Sequence, residues 1–126
     1  MRRVVVDMQA LFAAAVEDAL RKSGFGFDTV RSKSPEQTLK LCRQAPTAVL
    51  LADVMARPPR TLEERLAIRD ELKRLEPDCK IVFMVDENTK KKLADQVRQA
   101  KKDGLIDNFI YGSVSATYLS AVIDSL

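Results

Sequence analysis

Asp7 and Asp53 are the residues of this 126-residue chain whose placement points to chemistry. Each follows an apolar run: Val4-Val5-Val6 leads into Asp7, and Ala48-Val49-Leu50-Leu51-Ala52 into Asp53. A carboxylate delivered to the end of a buried strand can ligate a hard divalent cation, or serve as a nucleophile beside one. It can equally cap a helix or shape a turn, because aspartate accepts hydrogen bonds from nearby backbone N–H groups. Other chemistries are poorly served. With no histidine and two distant cysteines, Cys42 and Cys79, the chain lacks zinc ligand sets and Ser-His or Cys-His nucleophile pairs. The cysteines read as small apolar fillers in a reducing compartment. The turn from Asp7 to Phe12 has no glycine, which argues against a P-loop or dinucleotide site, where backbone N–H groups must approach phosphates closely.

The elements that would position these acids alternate along the chain. Strands are expected at 3–7, 27–31, 48–52, 80–85 and 106–111. Helices are expected at 10–22, 34–44, 61–76, 89–102 and 115–126. In the first, Phe12, Val16 and Leu20 share a face, with Leu11, Ala15 and Ala19 beside them. Ser34-Pro35-Glu36-Gln37 supplies an N-cap, a proline at the first helical position and a capping-box glutamine. Thr61 with Glu64 is a second capping box, opening a helix with Leu62, Leu66, the stem of Arg69, Leu72 and Leu75 inward. Leu93, Val97 and Ala100 form a thin stripe on the fourth helix; Leu119, Val122, Ile123 and Leu126 face inward on the fifth.

Five β-α units with short connections imply an α/β fold: a (βα)5, doubly wound, five-stranded parallel sheet of the flavodoxin-like kind, in one domain over residues 1–126. The length suits one core without a staple. A net charge of +3 is too mild to imply nucleic acid. No window is apolar enough for a membrane span and no signal peptide opens the chain, so a cytoplasmic location is expected. In such a sheet ligands bind beyond the carboxyl ends of the strands. The positions to inspect are therefore Asp7-Met8-Gln9, Ser32-Lys33, Asp53-Val54-Met55, Val85-Asp86-Glu87 and Tyr111-Gly112-Ser113.

Four stretches, VVVDMQALF (4–12), AVLLADVMARP (48–58), EPDCKIVFMV (76–85) and FIYGSVSATYL (109–119), taken in order, resemble the receiver domain of two-component response regulators. The closest similarity is to receivers that precede a LuxR/NarL-type DNA-binding domain. The resemblance implies that Asp53 stands where a histidine kinase's phosphoryl group is accepted. It implies a Mg2+ site of Asp7, Asp53 and the Met55 backbone carbonyl. It also implies departures: Met8 replaces the second metal-binding acid, Val85 replaces a Thr or Ser, and Gly112 replaces a lysine. Phe109 would be the switch aromatic. Mg2+ is then expected to bind weakly, and Asp86 or Glu87 is the one nearby substitute for the missing acid.

The expected function is an atypical phosphorelay receiver, not an enzyme, acting through protein contacts. Its partner would be a histidine kinase or another signalling protein, or a second copy, met through the face formed by residues 89–126. No membrane, nucleic acid or other cofactor is expected to bind directly. Alternatives are a conventional phospho-accepting receiver controlling transcription, and a small α/β ligand-binding or enzyme module. The basic run Lys90-Lys91-Lys92, Arg98, Lys101-Lys102 is a docking face or a solvated helix surface. The Arg57-Pro58-Pro59-Arg60-Thr61 segment stiffens the rim after the third strand.

Overall fold

The structure is a computed structural model that describes residues 1–86 and 88–126. The order is β1 (Arg2–Asp7), α1 (Ala10–Lys22), β2 (Phe27–Ser32), α2 (Pro35–Gln44), β3 (Val49–Val54), α3 (Leu62–Leu75), β4 (Lys80–Val85), α4 (Lys91–Lys102), β5 (Asn108–Tyr111) and α5 (Ala116–Asp124). The five strands form one parallel sheet in the order β2-β1-β3-β4-β5. The expected α/β architecture is the observed one. The order reverses between β1 and β3, and that switch point is where Asp7 and Asp53 sit.

Two apolar layers cover the sheet because side chains alternate along each strand. Val4, Val6, Leu51, Val82 and Ile110 pack with Val16 and Leu20 of α1 and Ile123 of α5. Val5, Leu50, Ala52, Phe83 and Val85 pack with Leu72 of α3 and Val97 of α4. Most helix signals operate as expected. Ser34 Oγ accepts from the Gln37 N–H at 3.1 Å, and Thr61 and Glu64 close a reciprocal capping box; Gln37 instead turns its side-chain oxygen to the Lys33 N–H at 2.6 Å, so the box at Ser34 is not closed.

Several boundaries differ for local reasons. β3 runs two residues beyond Ala52, because Asp53 and Val54 pair with Met84 and Val85 of β4. Asp53 is thus held inside a strand. β5 starts at Asn108, where its ladder with β4 begins; just before it, the Asp107 carboxylate accepts from the Ile81 N–H at 2.7 Å. α4 starts at Lys91, since the Thr89 N–H closes a turn onto the Asp86 carbonyl at 2.9 Å. Leu11 and Leu75, expected against the core, are exposed, and the buried apolar positions of α1 are Ala13, Val16 and Leu20.

Cys42 and Cys79 are buried free thiols in the second layer. Burial pushes both upward, Cys79 to about 12, so neither carries appreciable thiolate near neutrality. In the native protein both should resist a thiol-specific disulfide reagent at pH 8, and both should react once guanidinium unfolds the chain. Fast labelling of either thiol under native conditions would contradict this placement.

Candidate functional site

The carboxyl ends of β1 and β3 bring Asp7 and Asp53 side by side, and both side chains are almost wholly buried. Two like charges in a dry site need a cation. That cation is Arg65, from the second turn of α3, itself 2% exposed. Its Nη1 lies 2.9 Å from Asp7 Oδ2, and its Nη2 donates to Asp53 Oδ1 at 2.6 Å. Nε donates to the Asp53 carbonyl at 2.6 Å, and Nη2 also reaches the Asp7 carbonyl at 3.0 Å. Three of the five guanidinium N–H groups thereby donate to the two residues whose charge it balances, and Nη1 adds an ion pair with Asp7.

Two further donors reach the carboxylates, one at the other oxygen of Asp53 and one at the same oxygen of Asp7. The Gln9 N–H donates to Asp53 Oδ2 at 3.0 Å, and the Thr38 hydroxyl donates to Asp7 Oδ2 at 2.7 Å. Arg60, from the loop between β3 and α3, places Nε 3.2 Å from Asp53 Oδ1 without hydrogen-bond geometry. Asp53 is therefore clamped by an arginine behind it, a second arginine in front and a backbone N–H. An oxygen held in charge-assisted hydrogen bonds is a poor nucleophile until those bonds break.

The other expected site residues take different places. Met8 is buried among Val6, Val16 and Ile110, where it packs as a core side chain. Val85 is buried in the opposite layer, beneath α4. Gly112 is exposed; a Cβ there would meet only Met84 Sδ, at 3.9 Å, so the site has room for the side chain it lacks. Phe109 is half-buried on β5, edge-on to Tyr111 with ring centroids 5.9 Å apart. The Met55 N–H donates to the Arg60 carbonyl at 2.7 Å, which folds the β3–α3 loop back over the strand end. Asp86 is exposed and accepts from the Asn88 N–H at 2.8 Å; Glu87 lies outside the described residues.

The donor set does not fit a divalent cation. A metal shared by Asp7 and Asp53 would occupy the space that the guanidinium fills, against a positive charge. Among the described residues, no group of three or more Asp, Glu, His or Cys is arranged to hold one.

Sequence reasoning missed Arg65, although a signal was present. Residue 65 falls three after Leu62 and seven before Leu72, on the inward face of α3. A charged residue on an inward face must find counter-charge, and the strand-end acids are what that face meets.

In front of Asp53 a cleft of about 1200 Å³ opens between the β3–α3 loop, the start of α4 and the β5–α5 turn. Gln9, Asp53, Arg60, Leu66, Leu93 and Gly112 mark its extent.

No family model and no curated protein matches the sequence. Solved structures do match. A response regulator receiver domain protein from Clostridium thermocellum superposes with a TM-score of 0.78 at 16% identity, covering 99% of this chain and 93% of that one. The signal receiver domain of the response regulator NarL from Mycobacterium tuberculosis gives 0.72 at 21% identity, covering 98% and 94%. The chain has the receiver fold. A third structure with that fold, a response regulator protein from Burkholderia pseudomallei holding a phosphorylated aspartic acid and a calcium ion, gives 0.74 at 19% identity. This chain spans 66% of that protein's length, and 98% of this chain is covered. Its receiver fold is thus shared with a protein that carries both phosphoryl group and metal, whereas here an arginine lies between Asp7 and Asp53. No helix is long and apolar enough to cross a membrane.

Proposed function

We propose that the chain is an atypical response regulator receiver domain, with Asp53 at the phospho-acceptor position but withdrawn from phosphotransfer, so that signalling proceeds through protein contacts. One observation carries this reading: the Arg65 guanidinium bridges Asp7 and Asp53. Phosphotransfer to an aspartate needs a cation that binds the incoming phosphoryl oxygens, and a free carboxylate oxygen to attack phosphorus. Arg65 satisfies the acids without leaving open coordination positions. Met8, Val85 and Gly112 supply neither a metal ligand, nor a hydroxyl, nor a fixed counter-charge. A switch without a differential contact has nothing to drive it.

The contact face in this reading is α4–β5–α5. There Tyr118 is exposed, Lys101 Nζ lies 5.8 Å from the Phe109 ring centroid, and the Tyr111 hydroxyl accepts from Arg98 at 2.9 Å. Aromatic and arginine side chains of this kind anchor protein interfaces. A histidine kinase, another signalling protein or a second copy is the proposed partner.

The test is intact-mass analysis after incubation with Mg2+ and acetyl phosphate. No phosphoryl adduct should form. A stoichiometric adduct that disappears in Asp53→Asn would establish the conventional receiver instead.

A further inference from the structure

We propose that the cleft in front of Asp53 is a binding site for a small organic anion, an aryl or alkyl carboxylate with an apolar body. The inference deepens the reading above, since it rests on Arg65 having neutralised Asp53 at the cleft floor and names a signal other than a phosphoryl group.

The cleft is large enough. Sites for small organic ligands are typically about 300–1000 Å³, placed at the switch point of open α/β sheets. This cleft, at about 1200 Å³, is somewhat larger and runs from the switch point across the ends of β4 and β5. Its walls are apolar where a ligand body would lie: Phe12 from α1, Leu62 and Leu66 from α3, Met84 from β4 and Leu93 from α4. Leu62, Leu66 and Leu93 are only partly buried, so each has surface left to cover.

The polar groups decide the sign of the charge. A pocket with a free Asp53 carboxylate on its floor would repel an anion. Here Asp53 is matched by Arg65 and Arg60. Arg57, Lys90 and Lys92 line the same cleft, against Glu63 and Asp86. Among the described residues, two buried side-chain polar atoms have no hydrogen-bond partner, Thr29 Oγ1 and Arg60 Nε. Arg60 Nε is turned inward, 3.2 Å from Asp53 Oδ1. Arg60 lines the cleft, and its terminal Nη1 and Nη2 form the end-on fork that a carboxylate matches in a bidentate pair. Phosphate alone would satisfy the fork but leave the leucine walls uncovered.

The test uses three probes with one body: 4-phenylbutyrate, 4-phenylbutanol and 4-phenylbutylamine. Binding is followed by NMR on protein with labelled methyl groups. The acid should bind about tenfold tighter than the alcohol, the ratio expected from one charge-assisted hydrogen bond, and the amine should bind least. Shifts should concentrate on Leu62, Leu66, Leu93 and Met84. Arg60→Gln should bring acid and alcohol to equal affinity, and Leu66→Trp, which fills the cleft, should abolish both. Equal affinity of acid and alcohol for the unaltered protein, shifts mapping elsewhere, unchanged binding in Leu66→Trp, or no binding of the acid would each overturn the proposal. None of these results bears on the phosphoryl adduct, so the two readings fail separately.

Discussion

Arg65→Met should lower the unfolding free energy by about 3–5 kcal/mol, the cost of leaving buried charge without its partner. The loss should appear in a denaturant titration as a shifted midpoint with an unchanged slope. The reason lies in the asymmetry of buried ion pairs. Arg65, Asp7 and Asp53 together satisfy one another, and the set contributes little net stability over an apolar filling of the same volume. Removing the cation leaves two carboxylates in one dry site and strips the Asp53 carbonyl of its bond to Arg65 Nε. Mg2+ should then recover part of the loss in the variant while leaving the unaltered protein unchanged, because the vacated space is flanked by the acids a divalent cation prefers. A loss below about 1 kcal/mol, in the range of ordinary surface substitutions, would mean that Arg65 is not the counter-charge the geometry describes.

Leu72→Ala should cost a comparable amount, about 2–5 kcal/mol. α3 is anchored thinly: its buried residues are Arg65 and Leu72, while Leu62 and Leu66 are half-covered and Leu75 is exposed. Leu72 is fully buried against the layer built on Phe83 and Val85. Its truncation leaves a cavity and removes the apolar anchor of the helix. The two substitutions lie seven residues apart, about 10 Å along the helix, and share no partner, so their effects should add within about 0.5 kcal/mol. A clear excess in the double variant would show α3 undocking as a unit. A negligible Leu72→Ala effect would show that the helix is held elsewhere.

The order of elements was legible because its signals are local. A β-branched run, a capping serine or threonine and a terminating proline each act within a few residues. Two of the expected caps, at Ser34 and Thr61, form as expected. Asp53 was legible as an acid delivered by a buried strand, although the strand proved longer than its apolar run, since pairing with β4 continues through Asp53 and Val54. What local pattern did not reveal was the partner. Arg65 lies 12 residues beyond Asp53 and 58 beyond Asp7, and only the docking of α3 brings the three together. The leucine spacing of α3 places Leu75 inside and gives no place to Arg65. The reverse holds, because a charged side chain with two buried acceptors gains more from that face than a leucine near the helix end. Thr38 and Gln9, which also donate to the two carboxylates, belong to the same long-range set.

The most direct measurement is Mg2+ affinity by calorimetry, with and without beryllofluoride, on the unaltered protein. Beryllofluoride mimics a phosphoryl group on an aspartate and binds together with the metal. If Arg65 is the resident cation of the acid pair, neither Mg2+ alone nor Mg2+ with beryllofluoride should give saturable heat. Saturable Mg2+ binding that tightens with beryllofluoride and vanishes in Asp53→Asn would contradict the account, showing that Arg65 yields the pocket to a metal and that Asp53 still accepts.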